Sequence, residues 1–167
     1  MQSDHNPSKV LRSIVDETPY TAMDVFGHTI ELISDPDDPG ADFCVMRAVM
    51  PPGAVVPLHS HDHHEDILIL AGTEQVFVED AHGLQWREVQ AGDYVHIPAG
   101  IMHAHRTISD EPAVDLVIST AKLGRFFREL ARPDVGPRER IALSTKYGYI
   151  LGTPEQNAAV GIELGLA

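Results

Sequence analysis

Residues 58–66 read LHSHDHHED, with imidazoles at His59, His61, His63 and His64 and carboxylates at Asp62, Glu65 and Asp66. Four of the chain's ten histidines therefore fall within six positions. His59 and His61 are two apart, and a strand of period two sends both rings to one side. Glu65 keeps that parity after a turn. Two imidazoles and a carboxylate at one point suit a borderline first-row divalent metal, with nitrogen and oxygen donors and no thiolate to favour a structural zinc site. A fourth donor is available in His103.

Outward from this stretch, the chain reads as short strands separated by turn residues. His28 to Ile33, Phe43 to Met50, Ile67 to Leu70, Glu74 to Glu79, Gln85 to Val89, Tyr94 to Ile97, Met102 to Thr107 and Ala113 to Thr120 are strand candidates. Asp35 to Gly40, Pro51 to Gly53, Gly72, His82 and Gly83, Gly92, Pro98 to Gly100 and Ser109 to Pro112 punctuate them. Many short strands at regular spacing predict a sandwich or barrel. After Ala121 the period changes: Leu123, Phe126, Phe127, Leu130 and Ala131 form a helical stripe, expected to pack on the barrel or across its mouth, and Pro133 ends it. Pro137 opens a second helix with Gly148 as its C-cap, and Thr153, Pro154 and Gln156 predict a short third one. The expected organisation is an N-terminal arm over 1–26, a barrel over 27–120 and a helical tail over 121–167. Residues 1 to 9 are expected to fray, and Lys9 to Val15 carries too few apolar repeats to assign.

Composition narrows the function. A chain of 167 residues with a net charge of -13 and only 12 basic residues is one domain that lacks the clustered cations of a nucleic-acid binder. No apolar run approaches the length of a membrane span. Cys44 is the only cysteine, so no intrachain disulfide can form, and it is expected as a small buried apolar residue. The N-terminus shows no export signal, and the expected location is the cytoplasm.

Read with its glycines, the first stretch is Gly53, five residues, His59, one residue, His61, three residues, Glu65, six residues, Gly72. This resembles the first cupin motif at every fixed position. Gly92, five residues, Pro98, Ala99, Gly100, two residues, His103 resembles the second motif up to its histidine, although Thr107 stands where the family usually has Asn. The resemblance covers residues 53 to 107. It implies a mainly β fold, a small antiparallel β-barrel of the double-stranded β-helix or jelly-roll type with C-terminal helices. It also implies one divalent transition metal per chain (Fe, Mn, Ni, Co or Zn) inside the barrel, held by His59, His61, Glu65 and His103. The superfamily includes dioxygenases, isomerases, epimerases, lyases, cyclases and non-catalytic binders, so the fold does not choose a reaction.

The single barrel with a tail containing FFRELARP looks like the quercetinase-like cupins. That likeness implies an oxygenase or dioxygenase acting on a small aromatic or enolic, flavonol- or polyketide-like compound, with O2 as co-substrate and a possible homodimer. Non-redox isomerase, cyclase or lyase chemistry and plain metal or small-molecule binding are the alternatives. Glu65 is then both ligand and candidate proton acceptor, and His105, two residues past His103, is a candidate base or hydrogen-bond donor. His63 and His64 are expected to be exposed or beside the ligands, His96 to be a satisfied structural histidine, and His5, His28 and His82 to lie at the surface.

Overall fold

Strict alternation in β3 (Phe43–Met50) sets the architecture: Cys44, Met46, Ala48 and Met50 are buried, while the residues between them are exposed or half-buried. The computed structural model describes residues 22–164. Residues 1 to 9, expected to fray, His5 among them, and Lys9 to Val15 lie outside the described residues. Before β3 come β1 (Ala22–Val25) and β2 (His28–Leu32). After it come β4 (Val55–His61), β5 (Glu65–Ala71), β6 (Thr73–Asp80), β7 (Gly83–Gln90), β8 (Tyr94–Ile97), β9 (His103–Thr107) and β10 (Ala113–Thr120). The chain then runs through α1 (Ala121–Leu130), α2 (Pro137–Tyr147), β11 (Tyr149–Leu151) and α3 (Pro154–Ala159).

The strands form two antiparallel sheets, ordered β1-β2-β3-β10-β5-β8 and β11-β4-β9-β6-β7. The fold is the mainly β jelly roll with C-terminal helices that the motifs implied. Between the sheets, Met46, Ile67, Ile69, Val76, Ile97 and Val117 build the core. Gly72 shows how tightly it closes: its φ is +77°, and a Cβ there would lie 2.6 Å from the Pro112 carbonyl oxygen, so only glycine fits between β5 and β6.

Two elements depart from the expected layout. β1 falls inside the stretch assigned to the arm, yet it pairs along its whole length with β2. Its four residues, Ala22 to Val25, are too short to show a period on their own. The tail is also not wholly helical, because β11 pairs with β4, placing Tyr149 opposite His61 and Leu151 opposite His59.

The helices follow their sequence signals. Thr120 caps α1, Gly148 ends α2 in the left-handed region at φ 70°, and Thr153 with Gln156 forms the capping box of α3. Leu123, Phe126 and Leu130 are buried, and Phe127 is half-buried. Each fully buried apolar side chain stabilises by ~1.5 to 3 kcal/mol. Asn157, fully buried, locks α3 to the barrel: its Oδ1 accepts from the Leu58 amide at 2.9 Å, and its Nδ2 donates to the carbonyls of Gly152 and Thr153.

Candidate metal centre and cavity

β4 carries His59 and His61, β9 carries His103 opposite His59, and Glu65 opens β5. All four are buried. The Nδ1 atoms of His59, His61 and His103 lie 2.7, 2.8 and 2.8 Å from the carbonyl oxygens of Pro57, His63 and Ile101. A carbonyl only accepts, so each Nδ1 carries the proton and each Nε2 holds a free lone pair. Ligand atoms of the three histidines lie within 4.8 Å of one another. The Nε2 atoms of His61 and His103 have no hydrogen-bond partner, and Glu65 Oε2 stands 3.5 Å from each. Bare, buried lone pairs converging beside a carboxylate are costly unless an ion satisfies them. The donor set fits a divalent transition metal.

Electrostatics agree with that use. Burial, with His103 beside it, holds His59 well below the ordinary imidazole value, so its ring is neutral. Burial likewise lowers His103. Burial alone would raise the Glu65 carboxyl, but His103 and His61 outweigh it and keep it well below the carboxylate range. For His61 burial pulls downward and Glu65 more than compensates, which raises it.

The cluster opens into a cavity between the sheets with about 690 Å³ of empty volume, open space at its mouth included. His59 and Glu65 line it together with Met46, Ile67, Val117 and Tyr149. Phe26 and Phe127 also line it, and Phe26 is 44% exposed, so the cavity reaches the surface beside the β1–β2 turn. That turn is Phe26–Gly27, with φ of 56° and 82°. Gly27 adopts such a conformation freely, whereas a bulky aromatic there is strained. Strain of this kind persists where the side chain has a use.

His105 is buried on β9, its ring centroid 5.7 Å from that of His103. One of its ring nitrogens lies within 4.8 Å of donor atoms of Glu65 and His103. Its Nδ1 is 3.7 Å from Glu74 Oε1. Burial would lower it, but Glu74 reverses the direction and raises it.

Three histidine expectations need correction or refinement. His63 takes the second of its two expected places, buried beside the ligand His61: its Nε2 donates to the Tyr147 carbonyl at 3.1 Å, and its Nδ1 accepts from Thr120 Oγ1 at 3.0 Å. It ties the ligand loop to α1 and α2. His28 is buried as well, donating from Nδ1 to the Val25 carbonyl and facing the cavity. A strand-opening residue beside a glycine reads as surface, and only the pairing of β1 with β2 turns it inward. His96 is exposed and held by Asp66 at 2.6 Å, and His64 and His82 are exposed as expected. Thr107 is buried on the interior side of β9, its Oγ1 bonded to the Met50 carbonyl at 3.5 Å.

Sequence reasoning missed Tyr149, Glu74 and Asp115. Tyr149 stacks on His59, and Asp115 lines the cavity. A signal existed for the two acids: each occupies an inward position in a strand whose other inward residues are mostly apolar.

Fold and site thus define a jelly-roll barrel with a buried, histidine-rich group that could hold a metal. Residues 46–119 match the family described as Cupin domain, which with the fold supports the cupin superfamily. The polyketide cyclase RemF from Streptomyces resistomycificus superposes with a TM-score of 0.56 at 20% identity, over 78% of this chain and 91% of that one. An RmlC-like cupin from Shewanella frigidimarina gives 0.51 at 14% identity, over 61% and 84%. A germin-like protein of Morus alba is 27% identical over 110 residues, and the match spans 59% of this chain and 51% of that relative. Among the described residues no helix is long and apolar enough to cross a membrane.

Proposed function

We propose that the chain is a metal-dependent enzyme acting on a small aromatic or enolic compound. We further propose that its reaction is a proton-transfer rearrangement, such as a cyclisation, isomerisation or elimination. The supporting observation is that a metal-ready donor cluster and an apolar cavity share His59 and Glu65 as a common wall. A divalent metal held by His59, His61, Glu65 and His103 would supply Lewis acidity toward a carbonyl or enolate oxygen.

The chain's own residues do the rest. Met46, Ile67 and Val117 receive the ring and exclude water, which strengthens every polar contact inside. Glu65 has a second carboxylate oxygen able to accept a proton, and His105 stands within reach of the same space. Tyr149 fixes the His59 ring by stacking.

The cyclase named above is alike in fold, and this reading rests on the site alone. A second reading, an O2-dependent and quercetinase-like oxygenase, is favoured by the donor set itself: three neutral nitrogens and one anionic oxygen, without thiolate. The deciding experiment loads the purified protein with Mn, Fe, Co, Ni or Zn and incubates it with phenolic and enolic compounds, with and without oxygen. Turnover that needs metal but not oxygen supports the first reading, and stoichiometric oxygen uptake supports the second. Binding without turnover under either condition would leave a ligand-binding protein.

A further inference from the structure

Beside the donor cluster, the cavity wall carries further polar groups, of which the proposed reaction uses only His105. Asp115 on β10 and His28 at the start of β2 both line the cavity, as does His105, and Glu74 on β6 stands behind His105. All four are buried, and Glu74 is 0% exposed. Within this group His28 Nε2, Asp115 Oδ1 and both carboxylate oxygens of Glu74 have no hydrogen-bond partner, and Glu74 Oε1 has only the 3.7 Å ion pair with His105 Nδ1. Native interiors rarely leave so many groups unsatisfied in one place, because each costs the desolvation of a polar atom.

The chemistry of the orphans defines what is missing. His28 donates from Nδ1 to Val25, so its Nε2 is an acceptor, and the free atoms of Asp115 and Glu74 are carboxylate oxygens. The group is rich in acceptors and contains no lysine or arginine. A second metal is a poor fit. The donor groups whose atoms lie within 4.8 Å of one another are His59–His61–His103 and Glu65–His103–His105, and neither contains His28, Glu74 or Asp115.

We propose that His28 and Asp115, with His105 and Glu74 behind them, form a subsite that accepts a hydroxyl of the ligand, so that the ligand spans the cavity from the metal centre to this group. The inference rests on the proposed function and narrows it. The substrate class becomes a flat apolar ring system with an oxygen function at one end for the metal and a free hydroxyl at the other. Burial and the neighbouring Glu74 push the Asp115 carboxyl up to about 7, so near neutral pH it can meet a hydroxyl as acceptor or donor.

The test uses the metal-loaded full chain and a probe series built on 2,3-dihydroxynaphthalene, whose vicinal hydroxyls suit the metal. The 6-position carries hydrogen, hydroxyl or methoxy, and binding is followed by calorimetry with and without metal. The 6-hydroxyl is expected to tighten binding about tenfold, as a hydrogen bond to a charged group does, and the methoxy to abolish the gain. Asp115→Leu and His28→Phe should each remove the gain, read within each variant as the ratio of 6-hydroxyl to parent-ring affinity. Thermal stability supplies a control, since a subsite of unpaired polar groups predicts that Asp115→Leu melts no lower than the parent protein. A markedly lower melting temperature would assign Asp115 to the core and overturn the subsite.

Binding of the parent ring that needs metal, with no gain from the 6-hydroxyl, overturns the subsite and leaves the proposed function standing. A gain lost in Asp115→Leu, with parent binding indifferent to metal, supports the subsite and overturns the metal-dependent reading. A gain that survives in both variants, or no binding by any probe, overturns the subsite.

Discussion

Tyr149 lies flat against His59, ring centroids 4.7 Å apart and planes inclined by 13°. Through this stack the C-terminal tail helps set the orientation of a candidate metal ligand, whose ring is otherwise held by its Nδ1 bond to the Pro57 carbonyl and by the His103 ring at 4.1 Å. Contacts that orient a ligand typically govern metal affinity by about 10- to 100-fold. Tyr149→Leu is therefore expected to weaken metal binding by about that factor, and Tyr149→Phe to spare it. Competition with a chromogenic chelator measures both, and equal losses in the two variants would point to the hydroxyl instead of the ring face.

Metal removal should destabilise the fold. A ligand that binds only the native state contributes about 2.7 kcal/mol at a hundredfold excess over Kd. The melting temperature should fall on chelation and recover on adding the metal back. No change after verified removal would mean that the four donors are already satisfied without an ion.

Glu65→Gln separates charge from shape. The amide keeps the volume but loses the anionic donor and the proton-accepting oxygen. The variant should retain part of its metal and lose most turnover, whereas His59→Ala and His103→Ala should lose the metal itself. Metal content and rate must come from one preparation. Full activity in Glu65→Gln would move proton transfer to His105.

The acidic group predicts a pH dependence with a definite sign. Asp115 rises from 3.8 to about 7 on folding, through burial and the charge of Glu74, with His105 opposing. A folded pKa above the unfolded one means that, across that window, the native chain holds a proton the unfolded chain has released. Stability therefore declines as pH climbs from about 4 to about 7, and below that range the penalty vanishes because both states are protonated. His105, Glu74 and His28 face the same space, so the signature sought is a difference between proteins. Asp115→Asn should be more stable than the parent at pH 8 and converge with it near pH 4. Urea midpoints that run parallel would reject the assignment.

Phe26 offers a trade between stability and binding. A non-glycine residue in the left-handed region costs roughly 1 to 2 kcal/mol, and Phe26 has a φ of 56°. Phe26→Asn should raise the urea midpoint by relieving that strain and weaken aromatic probes by removing a cavity wall. A variant that is less stable would show that the ring contributes more by packing than the turn loses.

Much of this architecture was readable in residue order. Phe43–Met50, Tyr94–Ile97 and Ala113–Thr120 appear as strands with the expected bounds, because alternation and turn residues are local signals. Gly148 and Thr153 cap helices for equally local reasons. His59, His61, Glu65 and His103 do converge, as two spaced motifs implied. What stayed hidden depends on pairing between distant segments. Tyr149 reads as the residue after a helix, and nothing nearby says that it will lie against His59. His63 shares parity with the ligands, and only the positions of Thr120 and Tyr147 turn it into a strut. Asp115 and Glu74 were legible as polar residues on inward faces, yet acids in exposed strand positions look the same until the sheets are closed.

The bond from Leu58 to Asn157 joins residues 99 positions apart, and β11 reaches β4 across almost the same stretch of chain. Contacts so remote in sequence close late. A growing chain therefore presents His59, His61 and His103 well before Tyr149 and Asn157 leave the ribosome, and until then β4 has β9 on one side and a bare edge on the other. A nascent barrel owns every donor but not the ring that aligns the first of them. A fragment that stops short of Tyr149 is therefore expected to hold an added divalent ion about 10- to 100-fold more weakly than the whole chain, which makes ion retention a measure of whether the tail has docked.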